Sequence, residues 1–275
     1  MLNMVSLGGL SVLVGFLGSL TGLGGASILI PVLVLFGIPV KEAIASGMVA
    51  IIATSSGSAS SFVRERITNV KVAMYLEMFT ISGAIVGATI TTIIRPTLLY
   101  FFFAAFLLTA FLRFRYALKE FNPSAAQDRF SKWLGLHGSY FDQYTGRVVE
   151  YKVNNSVLGG LGMLVAGLAA GMLGIGAGAF KVTVQENILK IPPKVASATS
   201  NFIIGMTALA GVSVYIFSGL LNLTLMAPMA VGTTVGAVVG GRILNKISNK
   251  ALRVLFFVIV AFLIVQMLYK GIASL

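Results

Sequence analysis

The side chains able to do chemistry in the apolar part of this sequence are few, and most of them follow two glycine runs. Lys181 stands three positions after Gly178, inside an apolar stretch. A lysine in such a place is costly and marks a function unless a structural partner explains it. It can meet an anionic ligand, pair with Glu186, or snorkel to a membrane surface. Two carboxylates sit in similar settings. Glu77 follows Lys71 by six positions, and Glu186 lies five positions beyond Lys181. Both are candidates for a coupling group that gains and loses a proton. Both are also close enough to the polar edge of their segments to serve as solvated anchors there, Glu77 above all. Neutral donors cluster after two Ile-Pro pairs: Ser46, Thr54, Ser55 and Ser56 after Ile38-Pro39, then Ser197, Thr199, Ser200 and Asn201 after Ile191-Pro192. Such groups suit an oxyanion that must be held and then released. Their structural alternative is hydrogen bonding between helices.

Other chemistries lack their residues. With no cysteine there is no disulfide, thiolate or thiolate-bound metal, and the single histidine, His137, sits in a polar stretch as a surface residue. No nucleophile–base pair or paired carboxylate stands out. The run Gly22-Leu23-Gly24-Gly25 lacks the lysine and the strand–helix context of a nucleotide loop. The expected metal and cofactor complement is none, and no enzymatic activity is expected.

The elements that must position these residues are set by composition. Of 275 residues, 57% are hydrophobic and only 10% charged, against about 25% charged in soluble domains. That leaves too little polar surface for a water-soluble fold and implies a polytopic membrane protein. Apolar segments fall at 4–20, 26–36, 43–63, 72–94 and 97–113, then at 157–173, 178–189, 195–217, 223–244 and 251–271. A bilayer core takes roughly 20 helical residues, so segments 26–36 and 178–189 are half-length. Each follows a glycine break, Thr21-Gly-Leu-Gly-Gly-Ala-Ser27 or Leu173-Gly-Ile-Gly-Ala-Gly-Ala179, and each precedes an Ile-Pro.

This is an internal repeat. An offset of 153 lays Gly18, Leu20, Gly25, Ala26, Ile38, Pro39, Lys41, Ala43 and Ala45 on identical residues from Gly171 to Ala198, and pairs Ser46 with Thr199. The Gly83-xxx-Gly87 spacing recurs as Gly232, Gly236 and Gly240, a pattern suited to close helix packing. Paired, glycine-interrupted short segments in matching halves are the strongest sequence pointer to a transporter's binding site. A broken helix survives in lipid only where it is buried or lines a cavity, and a helix restarting at the break aims unpaired N–H groups and a positive dipole end into it. Gly22, Gly24, Gly25, Gly174, Gly176 and Gly178 are therefore expected to line an anion site with Lys181, Ser46, Thr199, Ser200 and Asn201.

The net charge of +12 could suggest a nucleic-acid binder, but its distribution assigns it to sidedness. All Lys and Arg except Lys41, Arg95, Lys270 and Lys181 fall on one face of the apolar segments. The positive-inside rule makes that face cytoplasmic. Each half contributes three or five crossings, both odd, so the second half is inverted and both termini face outward. The organisation expected is a first membrane repeat at 1–116, a cytoplasmic linker at 117–155 and a second repeat at 156–275. In the linker, 124–134 is suited to lie on the membrane surface with Phe130, Trp133 and Leu134 as anchors. Residues 139–153 alternate as a β-hairpin turning near Thr145-Gly146. A solvated linker is the alternative.

The first repeat, from Thr21 through the Gly-Ile-Pro-Val of 37–40 to Arg64-Glu-Arg-Ile-Thr-Asn69, resembles the first repeat of the TauE/SafE family. The stretch from Gly171 to Ala208, with its glycine run and Ala198-Thr-Ser-Asn-Phe202, resembles the second. Ala26, Ala177 and Thr183 depart from the family's usual glycine, glycine and proline. The resemblance implies an all-α membrane permease for sulfur-containing anions such as sulfite or organosulfonates, often an exporter, in the cell membrane. The expected mode is alternating access, with a passive anion channel or a non-transport scaffold as the alternatives. Expected partners are a small anion, protons, membrane lipid and a second copy of the chain, with no nucleic acid.

Overall fold

The computed structural model describes residues 4–21, 25–116, 127–142, 146–244 and 249–274. The first half holds α1 (Met4–Thr21), α2 (Ala26–Leu35), α3 (Val40–Arg64), α4 (Val70–Ile93) and α5 (Pro96–Tyr116). A short α6 (Arg129–Trp133) and strands β1 (His137–Asp142) and β2 (Arg147–Lys152) follow. The second half holds α7 (Ser156–Leu173), α8 (Gly178–Thr183), which continues through a π-helical turn at Val184–Ile188, then α9 (Pro193–Phe217), α10 (Leu223–Leu244) and α11 (Asn249–Ala273). The fold is all-α and multi-pass. By length and composition α3, α4, α7 and α9 can each cross a bilayer, while α1, α2, α5, α10 and α11 carry shorter described apolar stretches. Met78, Ile93, Phe217 and Leu223 stand largely exposed, as a lipid-facing surface permits and a water-facing one does not.

Boundaries follow local chemistry. Asn69 caps α4 by accepting from the Val72 N–H, and Asn222, its equivalent at the offset of 153, accepts from the Thr224 N–H at the start of α10. Pro96 and Pro193 occupy first-turn positions of α5 and α9, where no backbone donor is lost. Lys41 donates to the Thr92 carbonyl at 2.9 Å, placing a cation on the open C-terminal end of α4.

The halves interlock. Helix α1 packs along α10 and α4 along α7, while α3 lies on α9 and α5 on α11; α4 also meets α9, and α10 meets α3. Exchanging the halves maps this set of contacts onto itself. The glycine spacings serve the two long interfaces. A Cβ on Gly83 or Gly87 would strike the backbone at Leu164 or Leu168, and one on Gly167 or Gly171 would strike Thr80 or Ala84. At the corresponding interface, Gly236 rests on Val12 and Gly15 on Thr233. Backbone rests against backbone, as in tight membrane helix pairs.

The described part of the linker, from residue 127 on, is not a solvated tether. The hairpin forms with His137 opposite Lys152 and Asp142 opposite Arg147. Leu136, Tyr140, Tyr151 and Val153 are buried with Val72, Leu76, Leu189 and Ile203. Phe130 and Trp133 stack at 5.9 Å with Trp133 largely exposed, whereas Leu134 packs on the core rather than outward. His137 is exposed, as its setting in the sequence implies. Asn69 ties the cap down: its Nδ2 donates to Tyr151 Oη at 2.8 Å and to the His137 carbonyl at 3.2 Å. Burial pushes the Tyr151 phenol above the usual phenol range, so it keeps its proton at neutral pH. Asn69→Ala removes a helix cap and both ties at once. It should cost about 1–2 kcal/mol, read as a lowered thermal unfolding midpoint.

Candidate functional site

The second glycine break is built from three left-handed residues. Gly174 ends α7 with φ +64° and donates to the Ala170 carbonyl. Gly176 follows at φ +70° and Ala177 at φ +50°. The carbonyls that α7 leaves open are taken by side chains from other helices: Tyr215 Oη donates to Gly171 O at 2.7 Å, and Thr91 Oγ1 to Met172 O at 2.9 Å. The break is thus fully inside the protein, against Ile51 and Ile204, as an interrupted helix in lipid requires. Ala177 bears a conformation that costs an L-residue about 1–2 kcal/mol. Ala177→Gly should relieve it, less the larger unfolded-state freedom of glycine, for a net gain of about 0.5–1 kcal/mol in chemical denaturation. The first break is not a copy. Gly25 is buried against Val14 and Gly15 but is right-handed, with φ −54°, while Gly22 and Gly24 lie outside the described residues.

Just past the second break the chain buries a charge cluster. Lys181 is wholly buried. Its Nζ donates to Thr207 Oγ1 at 2.7 Å, and that oxygen lies 3.2 Å from Glu77 Oε1. The expectation that Glu77 is a solvated anchor is wrong: its side chain is 3% exposed. Nor does Lys181 snorkel or take Glu186 as its counter-charge; the charge acting on it is that of Glu77. The reason is register. Asn69 N donates to Thr199 Oγ1 at 3.2 Å, and Thr207 donates to Glu77 eight residues further along both chains. Helices α4 and α9 therefore run side by side in parallel, and carry Glu77 about 12 Å inward from the Asn69 level at 1.5 Å per residue.

The cluster is under-satisfied. Among the described residues, Glu77 Oε2 has no hydrogen-bond partner, and neither does the amide N or O of Gln185. Gln185 is wholly buried and lies four residues beyond Lys181, in the π-helical turn. Buried polar atoms are normally paired, and π turns recur at functional sites.

Of the residues expected to line one site, Gly174, Gly176 and Gly178 form the break, and Ser200 Oγ reaches Gly178 O at 3.4 Å. Lys181 and Glu77 are brought together through Thr207. Ser46 is buried on α3, its hydroxyl unpartnered among the described residues. Thr199 is held by the Asn69 N–H at the capped end of α9, away from the cluster. Asn201 is half-buried, its Nδ2 on the Ser197 carbonyl at 3.0 Å. Glu186 is half-buried on the π turn. Two residues of the cluster were missed by the sequence reading. Thr207 is the equivalent of Thr54 at the offset of 153, a signal that could have found it. Gln185 left no comparable mark.

Comparison with known proteins agrees with this architecture. The sequence model of the family described as "Sulfite exporter TauE/SafE" matches residues 7–267. The chain is 24% identical over 274 residues to "Probable membrane transporter protein YunE" of Bacillus subtilis (strain 168), covering 96% of this chain and 97% of that protein. It is 26% identical over 249 residues to "Probable membrane transporter protein YdhB" of the same organism, covering 90% and 91%. No solved structure matches the chain. With two glycine-broken five-helix halves and a family match running from α1 into α11, the chain belongs to the TauE/SafE family of membrane transporters.

Proposed function

We propose that this protein carries sulfur-containing anions, sulfite or organosulfonates, across the cell membrane by alternating access, in the export direction. The observation that supports the reading best is Lys181: a wholly buried cation one turn past a glycine break, linked to Glu77 only through the Thr207 hydroxyl, in a fold whose halves exchange. Repeats of this kind place their substrate where interrupted helices meet, and rock one element against another around it. The anion would sit between the break and α9, within reach of Lys181 and Ser200, with Gly174, Gly176 and Gly178 letting it approach the backbone. The sidedness of the basic residues supports a cytoplasmic hairpin cap and outward-facing termini.

A thermal-shift screen of the purified protein tests the reading. Sulfite, thiosulfate, ethanesulfonate, sulfate and acetate are each titrated. A ligand that binds the folded state stabilises it by about 2.7 kcal/mol at a hundred times its dissociation constant. The sulfur oxyanions should raise the unfolding temperature and acetate should not. No shift with any anion would overturn the reading. Counterflow in proteoliposomes separates a carrier, which shows it, from a channel, which does not.

A further inference from the structure

We propose that Glu77 is an internal anion that occupies Lys181 when no substrate is bound, and that a substrate anion displaces it, with Glu77 taking up one proton as it leaves. The inference rests on the anion-carrier reading above and adds to it the coupling ion and the exchange that couples it.

The geometry has three parts. First, the two charges are linked by a single hydroxyl rather than in direct contact: Lys181 Nζ donates to Thr207 Oγ1, and Thr207 reaches Glu77 Oε1. Second, Thr207 has a spare acceptor. Its hydroxyl also lies 2.7 Å from the Ile203 carbonyl, four residues back on α9. A hydroxyl has one proton to give, so Thr207 can turn from Glu77 to Ile203 without losing a hydrogen bond, and Lys181 can stay on its oxygen throughout. Third, the second carboxylate oxygen, Glu77 Oε2, and both polar atoms of the Gln185 side chain are buried without partners among the described residues. Gln185 offers two amide donors one turn beyond Lys181, and sulfonate or sulfite offers three acceptor oxygens. Lys181 and Gln185 supply donors for them, while protonated Glu77 becomes a donor in its turn.

Charge decides the stoichiometry. The elements packed on α4 around Glu77 are α7 and α9, with α8 behind them. Helix α7 has no titratable side chain, and α9 carries Lys194 and Tyr215 towards its two ends. The α8–π segment carries Lys181 and Glu186, and α4 itself carries Lys71 and Tyr75 nearer its start. The charge that acts on Glu77 is that of Lys181. An anion added to this pair leaves one net negative charge in a buried site, which is costly. One proton on the displaced carboxylate restores neutrality. The exchange balances: ammonium–carboxylate plus anion plus proton gives ammonium–anion plus carboxylic acid.

The repeat supports an asymmetric role. At the offset of 153, Thr207 corresponds to Thr54, but Lys181 corresponds to Ile28 and Glu77 to Ala230. The threonine recurs in both halves and the charges occur in one.

Ethanesulfonate is the probe, because it has no titratable proton near neutral pH and any proton that moves belongs to the protein. Isothermal titration of the purified protein at one pH, in two buffers of different ionisation enthalpy, counts protons taken up per anion bound. Wild type should take up about one. Glu77→Gln should bind ethanesulfonate at least as tightly, since Lys181 has lost its competitor, and take up none. The double variant Lys181→Met with Glu77→Gln, which is neutral at the site, should fold and bind none. Binding by wild type without proton uptake, or undiminished uptake by Glu77→Gln, overturns the inference and leaves the carrier reading standing. Absence of binding by wild type to ethanesulfonate and to every anion of the thermal-shift screen overturns both.

Discussion

Lys181→Met should abolish saturable anion flux in proteoliposomes and, by itself, destabilise the protein. Removing one member of a buried charge pair strands the other, at a cost of about 3–5 kcal/mol. Here the stranded group is Glu77, 3% exposed with one oxygen already unpartnered. Loss of flux alone would therefore be ambiguous. Adding Glu77→Gln removes the stranded charge and should restore most of the lost thermal stability while flux stays absent. If the double variant regained flux along with stability, Lys181 would be a structural residue and not a substrate contact.

The second large effect is at the helix interfaces. Gly87→Val should prevent accumulation of folded protein in the membrane. A Cβ at Gly87 lands on the Leu168 carbonyl, with the Met172 backbone N 3.0 Å away, so only a shift of α4 against α7 makes room. Overpacking of a tight site costs about 1–3 kcal/mol where side chains can yield, and more where they cannot. Gly236→Val meets the Val12 carbonyl at the equivalent α1–α10 interface and should behave alike. Gly9→Ala, on the same α1, has nothing within 4 Å of its added carbon and should be neutral or stabilise by about 0.5–1 kcal/mol. The comparison is read by fluorescence-detected size-exclusion chromatography and unfolding temperature. Equal behaviour of all three variants would refute the backbone-contact account.

Much of the fold is legible in the sequence because lipid restricts what a chain can do. Apolar length, glycine interruption and the offset of 153 locate all five helices of each half. The hairpin is legible only in part: residues 139–153 alternate well enough for two strands but suit a solvated linker equally. Its docking is not legible: Leu136 and Tyr151 look like the inward face of any small hairpin, and that they meet Val72 and Leu189 is a tertiary fact. The site divides in the same way. Lys181 announces itself by being a charge in an apolar segment. Its partner does not, because Glu77 is only seven residues into α4 and distance along one helix reads as closeness to water. What buries Glu77 is the parallel register of α4 on α9, fixed by the Asn69–Thr199 bond, and the cap folded over that end. Ser46 and Thr199 correspond in the repeat yet differ in the structure, one unpartnered and one bound to a backbone N–H.

The central claim is that the anion occupies the space beside the second break, next to Lys181. The chain has no cysteine, so one introduced thiol reports on one position. Ile204 lies against Gly176 at the break and is 6% exposed; Leu209, on the same helix, is 57% exposed on the lipid-facing side. The measurement is the rate at which N-ethylmaleimide labels Ile204→Cys and Leu209→Cys, with and without ethanesulfonate. The account predicts saturable slowing at position 204, none at 209, and loss of the slowing when Lys181→Met and Glu77→Gln are added. Labelling at position 204 that ignores an anion the protein demonstrably binds would contradict it.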